Sequence, residues 1–591
     1  MPRHLTAHGF GGFRTAFLAA ALLGSLLAAC SKSSVDAGPQ GSGVDLSKVP
    51  ASEYPLPTAA EAARFLNQAS FGATTAEINK VTTYGYSAWL EDQFLMPRPV
   101  GHEAFINAVS ASLPAGGSLS DDDVAHSFWR LAATGPDQLR QRTAFALSQI
   151  FVVSLQDTNV AGFRRGVASY MDMLAKDSFG SYRALLEDVT LHPMMGLYLS
   201  HLRNQKEDPS KNRVPDQNYA REVMQLFSIG LLQLNPDGTQ VLSGGVPVET
   251  YDNDDIIGLS RVFTGFSWAG PDKSNTRFQG NGTQDPNREV LPMQSYPQFH
   301  SISEKRFLTA VIPASATPDP NGDLKTALDE IARHSNIGPF IGQQLIQRFV
   351  TSNPTPAYVA RVAQAFDSGS FTSGSWSTGS GQRGDLRATI AAVLLDHEAR
   401  TAARLGDPTF GKVREPILRA AHWMRAFNAR SAGGAFLLGV TDDPTTSLGQ
   451  SPMRSPTVFN FYRPGFVPPN TQIEAAGLVA PELQIVLETS VVGYSNFMRS
   501  AVPNGMGSNS PRDIQPDYTT ERALADNADA LIDRVDLLLT AGMMSADTRN
   551  LIRNAVNSVT IPATNQTTAR QNRVNLAVLF TLSSSDYLVQ K

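Results

Sequence analysis

Cysteine is almost absent: Cys30 is the only one in 591 residues. A chain with one thiol can form no internal disulfide, and a thiolate metal centre needs more of them. Charge of one sign is also lacking. Lys and Arg number 49 against 54 Asp and Glu, a net −5, so there is no basic field of the kind that draws in a nucleic acid. After residue 30 there is no run of 18 uninterrupted apolar residues, the length a membrane-crossing helix needs. The usual catalytic signatures are missing too, with no P-loop, no HExxH and no GxSxG. Beyond the first 30 residues, no two of the histidines stand four apart, so no helical metal site is expected and no cofactor is called for.

What is present starts with the setting of Cys30. It closes Leu27-Ala28-Ala29-Cys30, at the end of an apolar run from about Ala16 to Leu27 that Arg3 and Arg14 precede. The run is too short for a membrane span. The pattern resembles a bacterial lipoprotein signal peptide over residues 1–29, with its lipobox. That resemblance implies export, cleavage before Cys30 and acylation of its thiol and amine. The mature protein would then be lipid-anchored to a membrane of the cell envelope, on the periplasmic or outer-membrane side. Two or more acyl chains hold firmly, at about 0.8 kcal/mol per buried methylene. Ser31, rather than Asp, after the cysteine leans toward the outer membrane.

Residues 30–57 are rich in Ser, Gly, Pro and Ala and read as a flexible tether. From 58 to 591 helical spacing dominates, so the fold class is mainly α: a large multi-helix globular array with few short strands. Thr58 should cap a first helix and Thr74 a second, which Gly85 should end. Pro136-Asp137-Gln138-Leu139 opens a core helix. Others are expected near 167–176, 180–191, 216–231, 253–264, 323–334, 339–350, 356–367, 385–396, 415–428, 480–499, 520–541, 545–557 and 569–583. Strands are expected only between Gly270 and Val311. Polar or low-complexity breaks lie at 203–217, 271–322 and 368–384, and the body forms one unit or two lobes meeting near 271–322.

Several chemical-looking motifs have plainer readings. Gly379-Ser380-Gly381-Gln382-Arg383-Gly384 fits GxGxxG, but a Ser/Gly tract precedes it where the dinucleotide fingerprint needs a strand. Asp319, Asn321, Asp323 and Glu330 imitate a calcium loop, yet Leu324 stands where the turn needs Gly, and Asp323 reads as the N-cap of the next helix. Asn235-Pro236-Asp237-Gly238 is a turn. Asp252-Asn253-Asp254-Asp255 loads a helix start with the charge its dipole favours. His192, before Pro193, should end a helix.

The strongest remaining candidate is NYAREVMQLFSIGLLQL from Asn218. At 100° per residue, Asn218, Arg221, Glu222, Gln225 and Ser228 share an arc of about 120°. That face is either simply solvated or a polar stripe lining a cleft, with Glu222 as acid or base and Arg221 gripping an anion. In SPMRSPTVFNFYRPGF (451–466), three prolines stiffen a loop carrying Phe459, Phe461, Tyr462, Arg463 and Phe466. Such aromatics either wedge helices together or stack on a sugar ring.

These blocks carry a family resemblance. RFLNQASFG (64–72), LRQRTAFALSQIFVVS, NYAREVMQLFSIGL, RVFTGFSW (261–268), His300 with Lys305, PFIGQQLIQRFVTSNP (339–354), RGDLRATIAAVLLDHEAR (383–400), KVREPILRA (412–420) and SPMRSPTVFNFYRPGF resemble the bacterial family called domain of unknown function 1800. The match spans roughly 58 to 591. It implies a predominantly helical fold, frequent export, and gene pairing with a second exported family, domain of unknown function 1501, which is similar to sulfatases and alkaline phosphatases. Where relatives often have Glu before the Asn-Tyr-Ala-Arg-Glu block, this chain has Gln217. His397 stands where they often have Pro, which argues against a catalytic role for it.

The resulting expectation is a lipid-anchored extracytoplasmic protein that binds or positions an envelope partner or polymer beside a sulfatase- or phosphatase-like protein. The alternative is a hydrolase or lyase acting on an extracytoplasmic polymer. Catalytic candidates are Glu222, Arg221, His300 and Lys305. Binding candidates are Asn218, Gln225, Phe459, Tyr462 and Arg463. Cys30 is the lipidation site, and no metal ligand is assigned.

Overall fold

Thr58 accepts from the Glu61 backbone N–H while the Glu61 carboxylate takes the Thr58 N–H, so a capping box starts the helix Ala59–Ala69. Thr74 caps Thr75–Leu95 by accepting from the Glu77 backbone N–H (3.2 Å), without the reciprocal bond. Gly85, at φ 85° and ψ 175°, ends the first helical segment as expected, and a second runs on from it to Leu95, burying Trp89 and Leu90. The computed structural model describes residues 41–591, so the leader, the lipobox with Cys30 and the start of the expected tether lie outside the described residues.

About half of the chain is helical, in 24 α-helices among the described residues. Their apolar faces meet in one contiguous cluster from Ala62 to Tyr587, with Trp89, Trp129 and Trp423 at its most buried points. Each such side chain contributes about 1.5–3 kcal/mol by leaving water. The chain end is tied in as well, because Val589–Gln590 pairs antiparallel with Lys412–Val413. Strands are short and occur as six two-stranded antiparallel pairs among the described residues. Lys305–Phe307 with Ala310–Ile312 falls where loss of helical spacing placed strands, as does Gln294–Ser295, but its partner Phe266–Ser267 precedes Gly270 and the other four pairs lie outside that stretch.

Four expectations need correction. The low-complexity stretch 368–384 contains an ordered hairpin, Phe371–Ser373 paired with Trp376–Thr378, held by the buried indole of Trp376. The tether does not extend to residue 57. Tyr54 OH donates to Leu395 O (2.9 Å), Glu53 N to Ser373 Oγ (3.2 Å) and Ser87 Oγ to Pro50 O (2.8 Å), so this segment lies against the hairpin and the second helix. Helices His102–Ser112 and Asp121–Thr134 had no counterpart in the sequence reading, although Ser120 and Asp123 form a capping box that the sequence displays. Finally, the helix expected over 216–231 is only Asn218–Gln225. The N–H groups of Ile229 and Gly230 both close onto Met224 O, and Gly230 turns to φ 72° because the Phe340 ring occupies the place of a Cβ.

Candidate functional site

That early helix stop exposes Gln225 and Leu226 to a cavity of about 590 Å³, bounded also by the helix Ile337–Phe349 and by the aromatic loop 458–465. The volume lies in the range of small-molecule sites. Two groups of residues that the sequence suggested separately therefore converge: Gln225 from the polar helix, and Phe459 with Tyr462 from the proline-stiffened loop.

The lining is largely apolar, with Ile150, Leu226, Leu231, Leu232, Leu234 and Val479 among it, and six amides interrupt it. Gln149, Gln225, Gln240, Gln343, Gln344 and Gln347 all face the cavity, together with the rings of Phe340, Phe459 and Tyr462. Arg348 is the one charged residue in the lining, and no carboxylate is part of it. Its guanidinium is already engaged: Nη2 donates to Gln149 O (3.0 Å) and Nη1 to Gln344 O (3.1 Å). Burial pulls its proton affinity down. Gln347 Nε2 donates to Ser352 O (3.0 Å) and Pro464 O (3.2 Å), which fastens the aromatic loop to the helix.

Below the lining lies a buried polar floor centred on Glu415. Its Oε2 accepts from Gln149 Nε2 (2.6 Å), Gln450 Nε2 (2.7 Å) and Tyr462 OH (3.0 Å). These bonds fix the Tyr462 ring at the cavity wall, and burial beside Glu415 pushes its phenol far above the usual range. Lys412 pairs with Glu482 at 2.9 Å with both side chains buried, and burial raises the Glu482 carboxyl against the pull of Lys412. Lys412 Nζ also donates to Arg348 O (3.0 Å).

The remaining candidates are elsewhere. Glu222 sits one turn before Gln225 but does not line the cavity; it is buried, its Oε2 has no partner, and burial raises its carboxyl despite Arg221. Tyr251, raised to about 12 by burial and then by the Glu222 charge, has an unpartnered OH as well. Arg221 and Asn218 are exposed at the helix start, while Ser228 is fully buried and donates to Val223 O, so the polar stripe is interrupted there. Arg463 is exposed and stacks on Phe459 at 4.7 Å from its ring centre, outside the cavity lining.

His300 and Lys305 come together, but as an internal tie. His300 Nε2 and Lys305 Nζ meet Asp323 Oδ2 at 2.9 and 2.8 Å, and all three side chains are largely enclosed. Lys305 also donates to Ser301 O (2.8 Å) and Ser303 O (3.3 Å), which uses all three of its donors. Burial opposes the Asp323 charge, but the hydrogen bonds from His300 and Lys305 outweigh it and hold the carboxyl below its ordinary range. Neither residue lines the cavity or bonds to Glu222. Asp323 is thus not the N-cap; that place belongs to Asp319, which accepts from Gly322 N (3.0 Å). The helix Asn253–Val262 presses on this cluster so closely that Gly258 faces Arg306 O with no room for a Cβ.

Two further motifs resolve as structure. A short strand does precede the GxGxxG segment and the helix Leu386–Leu395 follows it, unlike the sequence reading. However, Asp385 holds the helix start, accepting from Ala388 N and Ser380 N (both 2.8 Å), so a carboxylate occupies the place of a pyrophosphate. Asp396, His397 and Glu398 lie close enough to share a cation. Arg361 pairs with both acids (2.6 and 3.2 Å) and Arg404 with Glu398 (2.5 Å), so their charge is met by arginine.

Fold and site together define a large, mainly helical globular protein with an amide- and aromatic-lined cavity over a buried charged floor. Residues 64–589 match the family model described as Protein of unknown function (DUF1800), and the chain belongs to that family. No curated protein and no solved structure matches it.

Proposed function

We propose that this is a lipid-anchored extracytoplasmic binding protein that uses the glutamine-lined cavity to hold an envelope partner or polymer. Anchoring at Cys30 and work beside an exported sulfatase- or phosphatase-like protein belong to the same proposal. The observation that carries it is the lining itself: six amides and three aromatic rings converge without a carboxylate or histidine, which suits holding a polar ligand better than transferring its protons.

One observation favours the enzymatic alternative, a hydrolase or lyase. Glu222 has a raised proton affinity and an unpartnered oxygen, as a general acid would. Against it stand its place outside the cavity and the engagement of His300 and Lys305 with Asp323.

Leu231 lines the cavity and is 54% exposed, so Leu231→Arg obstructs the mouth without entering the core. Protein isolated from membranes of cells that need it should carry bound envelope material, and Leu231→Arg should abolish both that binding and the cellular role. Glu222→Gln should preserve them. Equal recovery of the material with Leu231→Arg would eliminate the cavity as the site, and loss of the role with binding intact in Glu222→Gln would favour the enzyme. Cys30→Ala should shift the protein from the membrane to the soluble fraction; a soluble wild type would remove the anchor.

A further inference from the structure

The cavity's chemistry narrows what it holds. Gln344 is 7% exposed and lines the cavity, yet its side-chain amide forms no hydrogen bond with the protein among the described residues. The side-chain oxygens of Gln149 and Gln347, in the same lining, are buried without a partner among the described residues, which costs on the order of 1–3 kcal/mol each, so their partners are to be sought in the cavity. Among the described residues the amides of half-buried Gln225 and Gln343 and of exposed Gln240 also form no side-chain hydrogen bond. An amide offers both donors and an acceptor and carries no charge, which matches hydroxyl groups, themselves donor and acceptor at once.

The charge balance points the same way. An anionic ligand wants an accessible cation, but Arg348 is 4% exposed and each of its terminal nitrogens already donates to a carbonyl, Gln149 O and Gln344 O. A cationic ligand wants a carboxylate, and none lines the wall. Aromatic rings complete the set. Tyr462 is locked in place by Glu415, and Phe459 is held on a loop that Gln347 fastens through Pro464 O. Rigid rings of this kind offer apolar faces to the C–H face of a sugar.

We infer that the cavity binds a run of uncharged, hydroxyl-rich sugar units, with Gln344 hydrogen-bonding to hydroxyls and Phe459 and Tyr462 stacking against the rings. The inference rests on the binding reading above and names its ligand class. Free oligosaccharide and a chain end of a surface polymer share this chemistry.

The test titrates the purified full-length protein in detergent with maltohexaose, cellohexaose and chitohexaose, and with hexagalacturonate as the anionic counterpart, by calorimetry. At least one neutral hexasaccharide should bind more tightly than hexagalacturonate. Gln344→Leu and Phe459→Ala should each weaken that binding about tenfold. Where Gln344→Leu fails to fold, Gln343→Leu, half-buried at the mouth, takes its place. Failure of all three neutral probes, equal or tighter binding of hexagalacturonate, or binding that survives both substitutions would each overturn the inference. If the sugars fail while Leu231→Arg still abolishes recovery of envelope material, only the ligand class falls. If Leu231→Arg changes nothing, the binding reading falls with it.

Discussion

The cluster of His300, Asp323 and Lys305 and the cavity beside Gln344 both hold buried polar side chains, but they dispose of them differently. In the first, every donor of Lys305 finds an acceptor and both ring nitrogens of His300 find a partner within the protein, His300 Nδ1 lying 2.7 Å from Thr264 O. In the second, Gln225, Gln240, Gln343 and Gln344 form no side-chain hydrogen bond among the described residues and face open space. Charged groups closed on one another hold the chain together. Neutral groups left open are available to a ligand. A residue's type marks neither outcome; the tally of its partners does.

The largest expected effect tests the closed cluster. Lys305→Met leaves Asp323 enclosed without its ammonium partner and should cost about 3–5 kcal/mol in denaturant unfolding. Asp323→Leu added to Lys305→Met should restore much of that loss. A cost below about 1 kcal/mol would make the cluster a poor structural tie and reopen a functional role. Next, Gly258→Ala drives a methyl into the strand at Arg306 O and should cost about 3 kcal/mol, the upper end for overpacking. An unchanged unfolding midpoint would show that the strand yields freely.

Glu222 tests the border between the two regions. Its folded carboxyl binds a proton more tightly than an ordinary glutamate. The folded state therefore holds more protons than the unfolded chain, and stability falls as pH rises from the usual glutamate range through the raised value. Glu222→Gln should accordingly melt about 1 °C higher than wild type at pH 7, with the difference gone at pH 4. A variant less stable at pH 7 would mean that the charged form is the one the fold favours. The smallest effect belongs to the cavity: Gln344→Leu should alter stability by no more than about 0.5 kcal/mol, since the amide it removes bonds to nothing in the protein. A loss as large as that of Lys305→Met would place Gln344 among the structural groups and erase the contrast.

Part of this was legible in the sequence. The Thr58 and Thr74 caps could be read because capping involves neighbours three residues apart, as Thr58 with Glu61. Mainly helical architecture followed from apolar spacing in the same local way. Asp323 was misread because its partners stand 18 and 23 positions back in the chain, whereas Asp319 and Asp323 look alike from close range. For the cavity, Gln225, Phe459 and Tyr462 were found, but Gln149, Gln344 and Gln347 were passed over inside segments read as core. A signal existed: Gln343, Gln344 and Gln347, with Arg348, interrupt the mostly apolar helix Ile337–Phe349, the three amides at spacings that share one face. Convergence of that face with a loop more than 100 residues further on had no local trace.

Under the proposed acylation of Cys30, the docked stretch from Ser42 to Leu56 would set how high the protein rides. Were all residues up to 57 free, acyl chains on Cys30 would leave the body about 100 Å of leash. With Tyr54, Glu53 and Pro50 fastened, and Ser42 bonded to Asp92, a fully stretched chain reaches no more than about 40 Å from the cysteine to the first attachment. If Cys30 is acylated as proposed, a body held at that altitude would reach only polymer and partners close to its own membrane, not those on a distant layer.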